Sequence, residues 1–162
     1  FVASGPDGAG FGRSLAEFNA ILLYLGEGTE YLPHDAYQRA KVCQWLFFEA
    51  DYVQSTIATL RHWNLTGKNE RNEGQLAKRR SGALGVLAIL DRHLQDHDFL
   101  SNSRYSLADI AVYAYTHLAG EAGLDMAPFV ALNHWINRIG DLVGDAIPVR
   151  YYSEDSFSGR DL

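Results

Sequence analysis

Phe99-Leu-Ser-Asn-Ser-Arg-Tyr-Ser-Leu-Ala-Asp-Ile-Ala-Val-Tyr113 is the stretch that decides how this chain folds. Residues 98–104 are short and polar, without helical periodicity, and read as a loop. Ser106 then stands three residues before Asp109. In that pattern the serine hydroxyl accepts the backbone N–H near Asp109, and the Asp109 carboxylate accepts the Ser106 N–H. Tyr105 and Ile110 fall at the positions of a hydrophobic staple, and the chain to about Ala119 is the most apolar helical segment present. A helix apolar on nearly every side belongs in the middle of a bundle.

Outward from this centre the same grammar repeats. Asp35 with Gln38 is a capping pattern that opens a long helix through Trp45, Leu46, Phe47, Tyr52, Ile57 and Leu60 to about Trp63. Thr66 to Asn69 is polar and contains a glycine, so it forms a bend. A second long helix runs from about Glu70 to Gln95, with Leu76, Ala83, Leu84, Leu87 and Leu90 at mostly helical spacing. These two form an antiparallel pair. Pro128 suits the first turn of a last helix carrying Leu132, Trp135, Ile136 and Ile139. Toward the amino end, Ser14 and Glu17 make a further capping box before the apolar run to Leu25, and Gly26 and Gly28 supply the stop.

No strand series or repeat is present, so the expected fold is an all-α bundle of about five to six helices over residues 14–144. Residues 1–13 hold four glycines and a Pro6-Asp7-Gly8 turn signal, which predicts a loop or hairpin tip. Residues 145–162 have the composition of a tail.

At 162 residues and 47% hydrophobic, the chain suits one domain with a full helical core. Its formal charge of -6 argues against nucleic acid or an anionic membrane surface as partner. The basic run Lys78-Arg79-Arg80, with Lys68 and Arg71 upstream, reads as a solvated helix face. Cys43 is the single cysteine and reads as a buried thiol; with no apolar leader in view, the expected compartment is the reducing cytosol. Apolar runs such as Ala20 to Leu25 fall far short of the roughly twenty residues a spanning helix needs.

His93 and His97 lie four apart on a helix end, a spacing that can place two imidazoles on one face, but no third ligand accompanies them, and no metal site is predicted. His62, His117 and His134 form no triad that sequence identifies.

Three stretches together resemble the C-terminal helical domain of the glutathione transferase family, in its bacterial form. Leu15-Ala-Glu-Phe-Asn-Ala-Ile-Leu-Leu-Tyr-Leu25 is similar to the Glu-Ser-x-Ala-Ile segment at the join between that family's two domains. Asp35-Ala-Tyr-Gln-Arg-Ala-Lys-Val-Cys-Gln-Trp-Leu-Phe-Phe-Glu49 resembles the opening of its first long helix, and the 99–113 stretch resembles its folding signature. The resemblance covers roughly residues 14–144. It implies conjugation of glutathione to an electrophilic small molecule, with a catalytic Tyr, Ser or Cys in a preceding thioredoxin-like domain. Thirteen residues are too few for that domain, so the expectation is a chain inactive alone, with residues 1–13 a remnant of the missing half.

The resemblance also implies that Glu17 contacts the γ-glutamyl end of glutathione. Phe18 stands where the family has serine, and the run Ala50 to Thr56 departs from the bacterial Gln-Tyr-Ser-His-Glu-Pro pattern. Tyr52, Arg61, Trp63, Tyr113 and His117 are the candidates for lining the electrophile pocket. Two alternatives stand beside the enzyme reading. One is a noncatalytic interaction module that binds another chain, or itself, through the face a thioredoxin-like domain would cover. The other is a binder of apolar small molecules.

Overall fold

A computed structural model describes residues 14–101 and 104–144. The expected amino-terminal hairpin and carboxy-terminal tail lie outside these residues, as do Asn102 and Ser103 of the quoted loop. The described chain is helical: α1 (Phe18–Gly26), α2 (Ala36–Phe48), a π-helix (Glu49–Ala58), α3 (Thr59–Leu65), α4 (Glu73–Leu94), α5 (Leu107–Thr116) and α6 (Val130–Val143). Short 3-10 turns at Glu70–Asn72 and Ala119–Ala122 join them.

α5 is central and packs against α1, α2, the π-helix and α6, while α4 covers the π-helix and α6 from the other side. Its capping box forms: Ser106 N–H and Oγ both donate to Asp109 Oδ2 at 3.0 Å. Leu100 N–H and Trp135 Nε1 donate to Asp109 Oδ1 at 2.9 and 3.0 Å. One fully buried carboxylate thus ties the loop, the start of α5 and α6 together. Asp35 caps α2 by accepting Gln38 N–H at 2.9 Å.

The amino end departs from expectation. Ser14 does not cap α1; the helix starts at Phe18, and Glu17 is its N-cap without a side-chain cap bond. Glu17 takes φ +69°, ψ 122°, which turns the chain out of helical geometry and leaves Ser14 outside the helix. The helix stop is also divided differently. Gly28 has φ +77°, the conformation glycine tolerates, whereas Gly26 is the last helical residue and is buried against Leu107. Pro128 lies before α6 rather than in its first turn.

The first long helix is continuous from Ala36 to Leu65, but its middle ten residues are a π-helix. Hydroxyls explain the widening: Ser55 Oγ donates to Asp51 O, Thr56 Oγ1 to Tyr52 O and Thr59 Oγ1 to Gln54 O. Each takes up a carbonyl within the turn, and such side-chain bonds compete with the regular helix ladder. The buried face of this long helix runs Val42, Trp45, Leu46, Glu49, Val53, Ile57, Leu60.

Candidate functional site: a groove between α1 and α2

Residues at the start of α1, on α2 and at the start of the π-helix together line a groove of about 490 Å³. Glu17 and Phe18 stand at its rim with Leu23 of α1; Cys43, Leu46 and Phe47 come from α2. The walls are mainly apolar, and Phe18 and Phe47 remain 43% and 71% exposed. Cys43 is not the fully buried thiol expected from its neighbours; it is half-buried and faces this groove. Glu17 is exposed; its carbonyl accepts Ile21 N–H at 3.0 Å, while its carboxylate makes no hydrogen bond or ion pair among the described residues.

Beneath the groove lies a polar cluster. Asn19 Nδ2 donates to Leu46 O at 2.8 Å and to Glu49 Oε2 at 2.9 Å, and Gln54 Nε2 donates to the same oxygen at 3.2 Å. Glu49 is 0% exposed. Burial pushes its carboxyl above the ordinary value, with the bonds from Asn19 and Gln54 pulling the other way.

The sequence-derived pocket candidates do not line this groove. Tyr52 is exposed and packs its ring against Phe48 at 5.3 Å. Arg61 is buried and paired with Glu121 at 2.6 Å. Trp63 lies under the Arg79 guanidinium at 5.0 Å. Tyr113 and His117 are brought together, with rings stacked at 4.3 Å, and Tyr113 meets Trp135 edge-on. The five are thus distributed among several packing contacts.

The basic run is likewise woven into the fold. Arg79 also donates to Ser55 O, and Arg80 donates to Gly123 O at 2.7 Å.

His93 and His97 stack at 4.1 Å, with His93 Nε2 donating to Leu100 O and His97 Nδ1 to His93 O. No group of three or more His, Cys, Asp or Glu among the described residues could hold a metal ion. No helix among them is long and apolar enough to cross a membrane.

Asn19, Glu49 and Gln54 are not among the residues picked from the sequence. The signal was present for Glu49: it falls in register with Trp45 and Val53 on an otherwise apolar face, where an acid is out of place.

The sequence profile of the glutathione S-transferase C-terminal domain matches residues 46–141. Among curated proteins, the chain is 28% identical over 145 residues to disulfide-bond oxidoreductase YfcG of Escherichia coli strain K12, covering 85% of this chain and 64% of that protein. It is 29% identical over 126 residues to glutathione S-transferase 2 of Anopheles gambiae, covering 75% of this chain and 58% of the relative. Among solved structures, a glutathione S-transferase from Xanthobacter autotrophicus Py2 superposes with a TM-score of 0.77 at 33% identity, covering 86% of this chain and 66% of the other. This chain belongs to the glutathione S-transferase family and carries its C-terminal helical domain. It spans less than two thirds of the length of each of these three proteins.

Proposed function

We propose that residues 14–144 form the helical half of a glutathione-dependent transferase, which joins the glutathione thiol to an electrophilic small molecule. The observation that carries this reading is the position of Glu17 at the start of α1. Its carboxylate is exposed, spends nothing on capping, and stands at the rim of an apolar groove.

A free carboxylate there suits the ammonium of the γ-glutamyl end, whereas Phe18 offers no hydroxyl to the neighbouring carboxylate of the tripeptide. The residues present therefore fit one end of glutathione. Glutathione itself supplies the nucleophilic sulfur, and thiolate is the reactive form. No described residue is placed to activate it, so residues 14–144 by themselves are expected to be inactive. Calorimetric titration with glutathione tests the assignment: weaker binding by the full protein carrying Glu17→Gln supports it, and unchanged binding removes Glu17 from the site. Robust conjugation of a generic electrophile by residues 14–144 alone would overturn the division of labour.

A second reading, docking of another protein chain or a second copy on this face, is favoured by the exposure of Phe18 and Phe47 side by side. Light scattering discriminates: a strictly monomeric chain that binds no hydrophobic dye counts against it.

A further inference from the structure

Asn19 of α1 and Glu49 of the π-helix are bonded to each other, and each leaves one buried oxygen without a partner, Asn19 Oδ1 and Glu49 Oε1; the other buried atoms left so among the described residues are the N–H donors Trp45 Nε1 and Arg79 Nε. The two oxygens are the remaining ones of groups already bonded through Asn19 Nδ2 and Glu49 Oε2. As a carboxylate and an amide carbonyl, both orphans are acceptors, so neither can donate to the other. We propose that Glu49 holds α1 to the bundle as a protonated acid, its Oε1–H donating to Asn19 Oδ1 to close a cyclic acid–amide pair, and that this pair is a proton-dependent latch.

One proton satisfies the whole cluster. The two hydrogens of Asn19 Nδ2 go to Glu49 Oε2 and Leu46 O, Gln54 supplies the second bond to Oε2, and the acid hydrogen serves Asn19 Oδ1. Buried polar groups are nearly always paired, and each one left unpaired is costly, so the protonated form suits this site.

No counter-ion favours the charged form. On the elements packed around the π-helix, Arg39 of α2 pairs with Glu27, and Lys41 bonds Gln44. Arg61 of α3 pairs with Glu121. On α4, Arg79 and Arg80 bond the Ser55 and Gly123 carbonyls, and His93 bonds Leu100 O. Asp109 of α5 is held in its cap. Tyr24 of α1 and Glu17 at its N-cap are exposed, and Cys43 of α2 is a half-buried thiol on the groove. Among the described residues no ion pair reaches Glu49.

The sign of the pH response follows. Burial holds the Glu49 carboxyl above its ordinary value of 4.5. The unfolded chain therefore releases this proton first as pH rises. Stability from the latch is complete below the ordinary value and is lost as pH climbs through the folded value. Deprotonation leaves two buried acceptors without a donor and loosens α1, and with it the groove rim that carries Glu17.

Glu49→Gln supplies an N–H where the acid hydrogen stood and mimics the closed latch at every pH. In the full chain, urea unfolding midpoints of the wild type are expected to fall as pH rises above the carboxylate range. Those of E49Q should lack this loss and exceed the wild type at the alkaline end. Infrared spectroscopy gives a second readout that needs no variant. A protonated carboxyl band that persists above the ordinary carboxylate range, and that shifts on ¹³C-labelling of glutamate but not of aspartate, is the expected signature. Absence of that glutamate band, or equal pH dependence in wild type and E49Q, would overturn the proposal; if E49Q does not fold, the wild-type band decides alone.

Discussion

Trp135 of α6 donates its indole N–H to Asp109 Oδ1 at 3.0 Å, 26 residues away in sequence, inside the core. The same carboxylate caps α5 and holds Leu100 N–H, so three separate segments depend on one side chain.

Replacing Asp109 with Asn keeps the shape but points an NH₂ at two donors. The variant is expected to lose on the order of 3 kcal/mol or more, since each unsatisfied buried donor costs about 1–3 kcal/mol. Trp135→Phe removes one donor, leaves the rest of the cap intact and should cost less than D109N. Urea unfolding of the two variants checks the order.

Gly26 closes α1 against α5. A Cβ there would lie 2.6 Å from Leu107 Cδ1, and Leu107 is itself buried. Gly26→Ala should therefore destabilise by about 1–3 kcal/mol through overpacking, in spite of alanine's better helix propensity. Leu107→Ala alone should cost about 2–5 kcal/mol. The double variant should lose less than the sum, because the truncated side chain makes room for the new methyl; additive losses in a double-mutant cycle would refute this contact.

Tyr105 is the staple residue before α5 and packs edge-on against Tyr31 at 5.8 Å. Burial, with the Asp109 charge nearby, pushes its hydroxyl up to about 12. Its folded value thus lies above the unfolded value of 10.0. The stability it contributes is complete below about 10 and disappears as pH rises toward 12. Burial also pushes the Tyr113 hydroxyl up, so ultraviolet titration should show tyrosines ionising late, and Tyr105→Phe should remove the component at about 12.

Phe47 is exposed on the groove wall and supports little of the core. Phe47→Glu should change the unfolding free energy by no more than about 0.5 kcal/mol, as surface substitutions generally do. Sedimentation should nonetheless show weaker association of the full protein wherever this face is covered by another chain. Unchanged association would remove Phe47 from the interface.

Much of the fold was legible from capping patterns and periodicity. The Ser106/Asp109 box, the Asp35 cap and the antiparallel pair stand where local rules put them, because each is decided by residues three or four apart. The same rules placed a capping box at Ser14 and Glu17, and there they failed. The left-handed backbone at Glu17 starts the helix three residues later than that pattern implies. They also read the helix from Asp35 to about Trp63 as uniform, because the π-type widening depends on which hydroxyls turn back to the carbonyls behind them.

The candidate site was less legible. Tyr52, Arg61, Trp63, Tyr113 and His117 share residue chemistry with pocket linings, yet packing gives Arg61 to Glu121, Trp63 to Arg79, and Tyr113 to His117 and Trp135. Pairings across 60 positions, as between Arg61 and Glu121, leave no local pattern to read.

The sequence by itself determined the helical class, the order of the main helices and the family, because those follow from short-range spacing and capping chemistry. Only the tertiary structure decided that Glu49 is sealed beneath α1 with Asn19 as its partner, that Gly26 is a packing residue, and that Cys43 opens onto a groove. Each of these depends on what a side chain meets from a distant part of the chain, and burial and hydrogen-bond satisfaction are settled there.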